Sequence, residues 1–135
     1  MKYPNLPRAS IGPLPSQRNR AVRLKWSEQQ QELERLLLPQ RVDIEEMLCG
    51  GVEGRISCVS TSAGIPLNTF IGLPVQVQLV TDRGGLHPIC GIIVDAREGE
   101  SDSSLATYQL FIRDALSILE RRFNTRIFRR KSALD

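Results

Sequence analysis

The 135-residue sequence predicts a mainly β protein: a bent antiparallel sheet of about five or six strands, close to a small β-barrel, with one amphipathic helix. Three observations lead there. Apolar and polar residues alternate with a period of two in several short runs, the pattern of strands with one buried face. Glycine-rich or acidic turn sequences separate those runs at hairpin spacing. Only towards the C-terminus does the apolar period lengthen to that of a helix.

The first twenty residues, "MKYPNLPRASIGPLPSQRNR", scatter prolines among small and polar residues and hold neither period, so residues 1–20 read as a flexible Pro-rich arm ahead of a single domain over 21–135. "AVRLKW" alternates Val22, Leu24 and Trp26 with Arg23 and Lys25, a strand. "SEQQQELERLLLPQ" opens on Ser27 and stops near Pro39, and fits a short helix or a polar loop equally well. "RVDIEEMLCGG" and "GVEGRISCVSTS" form an antiparallel pair about the glycines Gly50 and Gly51, with Ile56, Cys58 and Ser60 on one side of the pleat. "IPLNTFIGLP" is a connector with room for one helical turn. "VQVQLVT" has the cleanest alternation, with Val75, Val77 and Leu79 facing one way and Gln76, Gln78 and Val80 the other.

"DRGG" is a hairpin turn. Its partner strand "LHPICGIIVDAREGE" carries Pro88 and Gly91, which mark an edge, a bulge or a bend. After the turn "GESDSS", the strand "LATYQLFIRD" sets Leu105, Thr107, Gln109 and Phe111 against Ala106, Tyr108, Leu110 and Ile112. Ala115, Leu116, Leu119 and Phe123 then repeat at helical spacing behind Asp114 as a cap, which places Phe123 in the core.

Composition excludes several classes. At 41% hydrophobic and 24% charged the chain is neither disordered nor membrane-spanning in character, and no run approaches the roughly 20 apolar residues that cross a bilayer. The start lacks the apolar core and cleavage site of a secretory signal, which predicts a cytoplasmic location unless a machine exports the protein. Cys49, Cys58 and Cys90 are odd in number and lack metal-ligand spacing, so reduced, partly buried thiols are expected rather than a disulfide framework or a metal site.

Catalytic chemistry finds few carriers. His87 is the one histidine and sits beside Pro88 at a strand start, a solvated or strand-edge position. Glu45 and Glu46 are adjacent and point to opposite faces of a strand. Asp82, Asp95, Glu98, Glu100 and Asp102 fall mostly in expected turns, and "CGGVEG" lacks the Lys-Ser/Thr ending of a phosphate loop. No enzyme, cofactor or metal is expected. The alternative that composition keeps is a small basic barrel binding single-stranded nucleic acid. Arg121, Arg122, Arg126, Arg129, Arg130 and Lys131 are interleaved with Phe123 and Phe128, which would combine phosphate contacts with base stacking.

Specific sequence elements support another reading. "IGLPV" at Ile71 to Val75, "CGI" at Cys90 to Ile92, "DSSLATYQL" at 102–110 and "NTRIF" at 124–128, in that order, resemble the N-terminal hub region of the valine-glycine repeat (VgrG) spike proteins of type VI secretion. "LLPQRVDIEE" and "CVSTSAGIPL" upstream share the likeness; "SEQQQELE" is the least similar part and the arm is unmatched. Those proteins are related to contractile-phage baseplate hubs. The resemblance implies a fold of the baseplate hub and tube type and a structural role: the hub of a homotrimeric spike, joining the secretion tube to a puncturing needle that delivers effectors. It implies as partners other copies of the spike, the tube protein, baseplate proteins and effectors, with export by the type VI machine from a bacterial cytoplasm. In the family the "NTRIF" segment leads into the rest of the hub, which makes Asp135 a cut edge and the 21–135 domain incomplete. The candidate assembly edge is therefore Phe123, Arg126, Ile127, Phe128, Arg129 and Arg130.

Overall fold

The computed structural model describes residues 17–102, 104–123 and 125. Six strands form one antiparallel sheet: β1 (Val22–Trp26), β2 (Leu38–Met47), β3 (Gly51–Ser60), β4 (Pro74–Val80), β5 (Leu86–Ser101) and β6 (Ala106–Arg113). Their order is β1-β4-β5-β6-β3-β2, so β1 and β2 are the two edges. The sheet curls into a half-barrel around residues that five of the six strands contribute at period two: Leu24 and Trp26, Ile56 and Cys58, Val75 and Val77, Ile89 and Ile93, and Tyr108, Leu110 and Ile112 are all buried. On β6 the buried set is Ala106, Tyr108, Leu110 and Ile112, one of the two faces expected there.

Register links these residues into layers. Leu24 lies opposite Val77, and Val77 opposite Ile89; Ile56 lies opposite both Val42 and Leu110. Tyr108 holds the roof. Its ring meets Phe70 edge-on at 6.1 Å, its hydroxyl donates to the Ser62 carbonyl at 3.1 Å, and it accepts from the Ile65 N–H at 3.1 Å. Gly64 N–H donates to Glu98 Oε1 at 3.2 Å. The loop between β3 and β4 is thus pinned across the top of the core.

Close approach requires one glycine and crowds another. A Cβ on Gly54 would lie 2.6 Å from both the Asp43 carbonyl oxygen and Ile44 Cγ1, because Ile44 on β2 folds over the place opposite it. A Cβ on Gly91 would lie 3.1 Å from the Arg113 carbonyl oxygen, at the point where β6 runs out. Below that point β5 pairs only with β4, so Pro88 sits where a strand edge lacks a second neighbour and its missing N–H costs nothing.

Among the described residues, the seam between the two edges is closed by side chains at one end. Gln17 donates to the carbonyls of Glu34 and Leu37 at 2.6 and 3.2 Å and accepts from the Leu24 N–H at 2.7 Å. Arg20 donates to the Pro39 carbonyl at 3.0 Å, and Glu34 Oε1 accepts from the Trp26 N–H at 3.4 Å. These bonds replace a strand pairing that β1 and β2 do not make. The expected arm over 1–20 is described only from Gln17, and there the chain is already held; residues 1–16 lie outside the described residues.

Of the two helical expectations, the first is met and the second needs correction. The segment that fitted helix or loop equally contains α1 (Gln31–Leu36), which buries Leu33. The C-terminal segment is a 3-10 helix, Ala115–Arg121, whose apolar side chains face outward. At three residues per turn, Leu116 and Leu119 eclipse on one side and Ser117 and Glu120 on the other. Ser117 is buried and Glu120 is bonded to Arg113 of β6, so the polar side turns to the sheet and the leucines to water. Phe123, expected in the core, is fully exposed at 101%. Asp95, Glu98 and Glu100 lie not in turns but on β5, which continues to Ser101 through register shifts after Ile93 and Glu98.

Candidate assembly surface

Three chain segments meet at the lower end of the half-barrel, where β6 ends. Asp114 fixes the first. Its N–H donates to the Val52 carbonyl at 2.8 Å, and its side chain caps the 3-10 helix by accepting from the Leu116 N–H at 2.8 Å, the capping role expected of it. The second is the β2–β3 hairpin tip, where Cys49 takes φ 65° and Gly51 φ 77°; Gly51 is packed so closely on Asp114 that a Cβ would lie 2.9 Å from that residue's Cβ. The third is the foot of β5, where His87 Nε2 lies 3.6 Å from Glu46 Oε2 of β2. His87 is half exposed, the solvated position its sequence context indicates.

This end leaves apolar side chains uncovered. Met47 and Leu48 at the hairpin tip, Leu86 at the foot of β5, and Leu116, Leu119 and Phe123 beyond β6 are all exposed, Leu48 to 100%. Single exposed leucines are ordinary, but a collection of this size at one end of a small domain is unusual for a surface that faces water alone. Sequence periodicity missed it because Leu116, Leu119 and Phe123 fit a buried helical stripe. Of the expected assembly edge, the structure places Phe123 here; Arg126, Ile127, Phe128, Arg129 and Arg130 lie outside the described residues.

Titratable groups are explained by the packing. A hydrogen bond from Arg41 holds the Asp43 carboxyl below its usual range, assisted by Arg55 at 3.4 Å. Backbone N–H groups of Ser104 and Leu105 do the same for Asp102. Burial pushes the Tyr108 hydroxyl up and the Cys58 thiol to about 12, while Cys49 and Cys90 are exposed. The Arg113 guanidinium is held above its usual value by its hydrogen bond to Glu120. A hollow of about 520 Å³ on the outer sheet face is lined by Asp43, Glu45, Glu53, Arg55 and Phe111. Among the described residues no group of three or more His, Cys, Asp or Glu is placed to hold a metal ion, and no helix is long and apolar enough to cross a membrane.

A curled antiparallel half-barrel with one short α-helix is the fold of phage-tail and secretion-spike hub proteins. The chain superposes with a TM-score of 0.57 on the E. coli c3393 protein, a component of the type VI secretion system with structural similarity to the T4 bacteriophage tail proteins gp27 and gp5; identity is 16%, and the match covers 74% of this chain and 26% of that one. Residues 45–135 match the phage tail baseplate hub (GPD) family model, and the chain belongs to that family. It is 27% identical over 96 residues to the type VI secretion system spike protein VgrG1c of Pseudomonas aeruginosa and 26% identical over 96 residues to VgrG1b of the same organism. Each match covers 71% of this chain and 13% of the relative, so the chain spans a small part of the length of these relatives.

Proposed function

We propose that this chain is a structural hub element of a type VI secretion spike, joining the secretion tube to the puncturing part of the spike in the apparatus that delivers effectors. The observation that carries this reading is the uncovered apolar end around Leu116, Leu119 and Phe123, which a hub element buries against the next piece of the hub. The hub family match supports it, since it runs through this end to residue 135. The assembly edge then consists of Phe123 together with Arg126, Ile127, Phe128, Arg129 and Arg130, and the role is mechanical rather than catalytic. Partners are other copies of the spike, the tube protein and baseplate components, and the route out of the cell is the secretion machine itself.

The test is association measured by sedimentation velocity, alone and with purified tube protein. Replacing Leu119 and Phe123 by Ser should weaken association at least about tenfold, since each removes a large apolar group from a buried contact. Unchanged association would reject the reading.

A second reading, binding of single-stranded nucleic acid, is favoured by one observation: Phe123 is fully exposed beside Arg121 and Arg122, as a stacking platform would be. It requires oligonucleotide binding that falls steeply with salt and is lost in Arg126→Ala/Arg129→Ala/Arg130→Ala.

A further inference from the structure

The assembly reading leaves open which surface receives the basic C-terminal segment, and the β2 edge supplies an answer. Above Pro39 that edge is covered by Gln17 and Arg20. Below it, from Val42 to Met47, β2 pairs with β3 on one side. Among the described residues, nothing donates to or accepts from its backbone on the other side. Such an edge presents alternating donors and acceptors to any extended segment that approaches.

Its charges decide what can approach. Asp43, Glu45 and Glu46 follow within four residues, and Glu45 lies directly opposite Glu53 of β3. Like charges facing each other across a strand pair destabilise it. Glu53 has Arg113 opposite it on its other side, and Asp43 is bonded to Arg41 and Arg55. Among the described residues Glu45 has no cation. The edge therefore repels an acidic strand and favours one rich in Lys or Arg.

The same chain carries a segment of that kind. Residues 125–131, Thr-Arg-Ile-Phe-Arg-Arg-Lys, contain four cations and no acid or proline, so every residue has a backbone N–H to give. The β-branched and aromatic residues among them favour extended backbone.

We propose that the unpaired half of β2, Val42–Met47, receives the basic segment 125–131 of a second copy of this chain as an added strand, head to tail. Both halves of the contact are on one chain, so any two copies are complementary without a further component. The contact is heterologous: each copy offers a donor segment at one place and an acceptor edge at another, and association continues until a ring closes. This inference rests on the assembly reading above and names the surface that the assembly edge meets.

Charge reversal tests it on the full chain. Glu45→Lys/Glu46→Lys alters only the acceptor and Arg126→Glu/Arg129→Glu only the donor; both sets of exposed or terminal positions leave the thermal midpoint near that of wild type. In sedimentation velocity the wild-type chain should associate and do so more weakly as salt rises. Each variant alone should associate about tenfold or more weakly than wild type, from the loss of attraction at two charges. Mixed together, they retain one intact acceptor and one intact donor. The reversed acceptor and the reversed donor are again of opposite charge, so the mixture should associate more strongly than either variant alone. A wild-type chain that stays monomeric, variants that associate like wild type, or a mixture that associates no better than either variant alone would each overturn the inference. Association that is insensitive to salt and to these charges but lost in Leu119→Ser/Phe123→Ser would overturn it while leaving the hub reading intact.

Discussion

Gln17 sits outside every strand and yet holds the barrel seam. Its amide makes three hydrogen bonds, two to the carbonyls at the α1–β2 corner and one from the Leu24 N–H of β1, and Leu24 is itself buried. A net gain of about 0.5 to 1.5 kcal/mol per bond, in a partly buried site, makes Gln17→Ala about 2 kcal/mol less stable. For a domain of this size about 1 kcal/mol moves the thermal midpoint by roughly 4 °C, so a fall of about 8 °C is expected. Gln17→Glu should be worse than Ala. A carboxylate keeps the acceptor for Leu24 but has no proton for the two carbonyls, and it comes close to Glu34. Thermal unfolding gives the magnitude, and amide exchange gives the location: Leu24 should lose protection before the β3–β6 centre of the sheet does. A midpoint within about 2 °C of wild type, or exchange that rises evenly over all six strands, would refute the idea that side chains close this seam.

Three further outcomes follow from the packing. Tyr108→Phe leaves the Ile65 N–H without its acceptor and should cost about 1 to 3 kcal/mol, with faster amide exchange confined to the loop between β3 and β4; an equal effect on β1 would contradict the pinning role. Val77→Ala, in a fully buried site, should cost about 2 kcal/mol or more, Leu79→Ala at the partly exposed rim less, and Gln78→Ala on the outer face within about 0.5; an inverted order in urea unfolding would mean the register of β4 is wrong. Cys49 and Cys90 should react with a thiol reagent in the native protein and Cys58 only on unfolding. The folded state holds Cys58 as the neutral thiol, with its pKa raised from 9.0 to about 12. Its contribution to stability is therefore complete below pH 9 and declines as pH rises from there towards 12. A Cys58→Ala variant with the same alkaline limb as wild type would show that this thiol is not responsible.

Strand identity was legible in the sequence wherever alternation is a local property. Val75, Val77 and Leu79 face the core because consecutive side chains on a strand must point to opposite sides, whatever the strand pairs with. Gly51 marks the hairpin because few other residues accept a backbone with positive φ. The same local logic separated Glu45 from Glu46 and put Asp114 at a helix start.

Tertiary structure alone decided three things. Helical spacing of Leu116, Leu119 and Phe123 says that they share a side, but not whether any surface exists for that side to pack on; the Ser117 and Glu120 side took the sheet, and the apolar side became the exposed end. Pairing across a seam depends on how far the sheet curls, so the bonds of Gln17 to residues 17 and 20 positions away have no signature in its own neighbourhood. Register is likewise nonlocal. Glu45 and Glu53 are eight residues apart in the chain and directly opposite in the sheet, and the unbalanced charge on the free edge exists only because the hairpin brings them together.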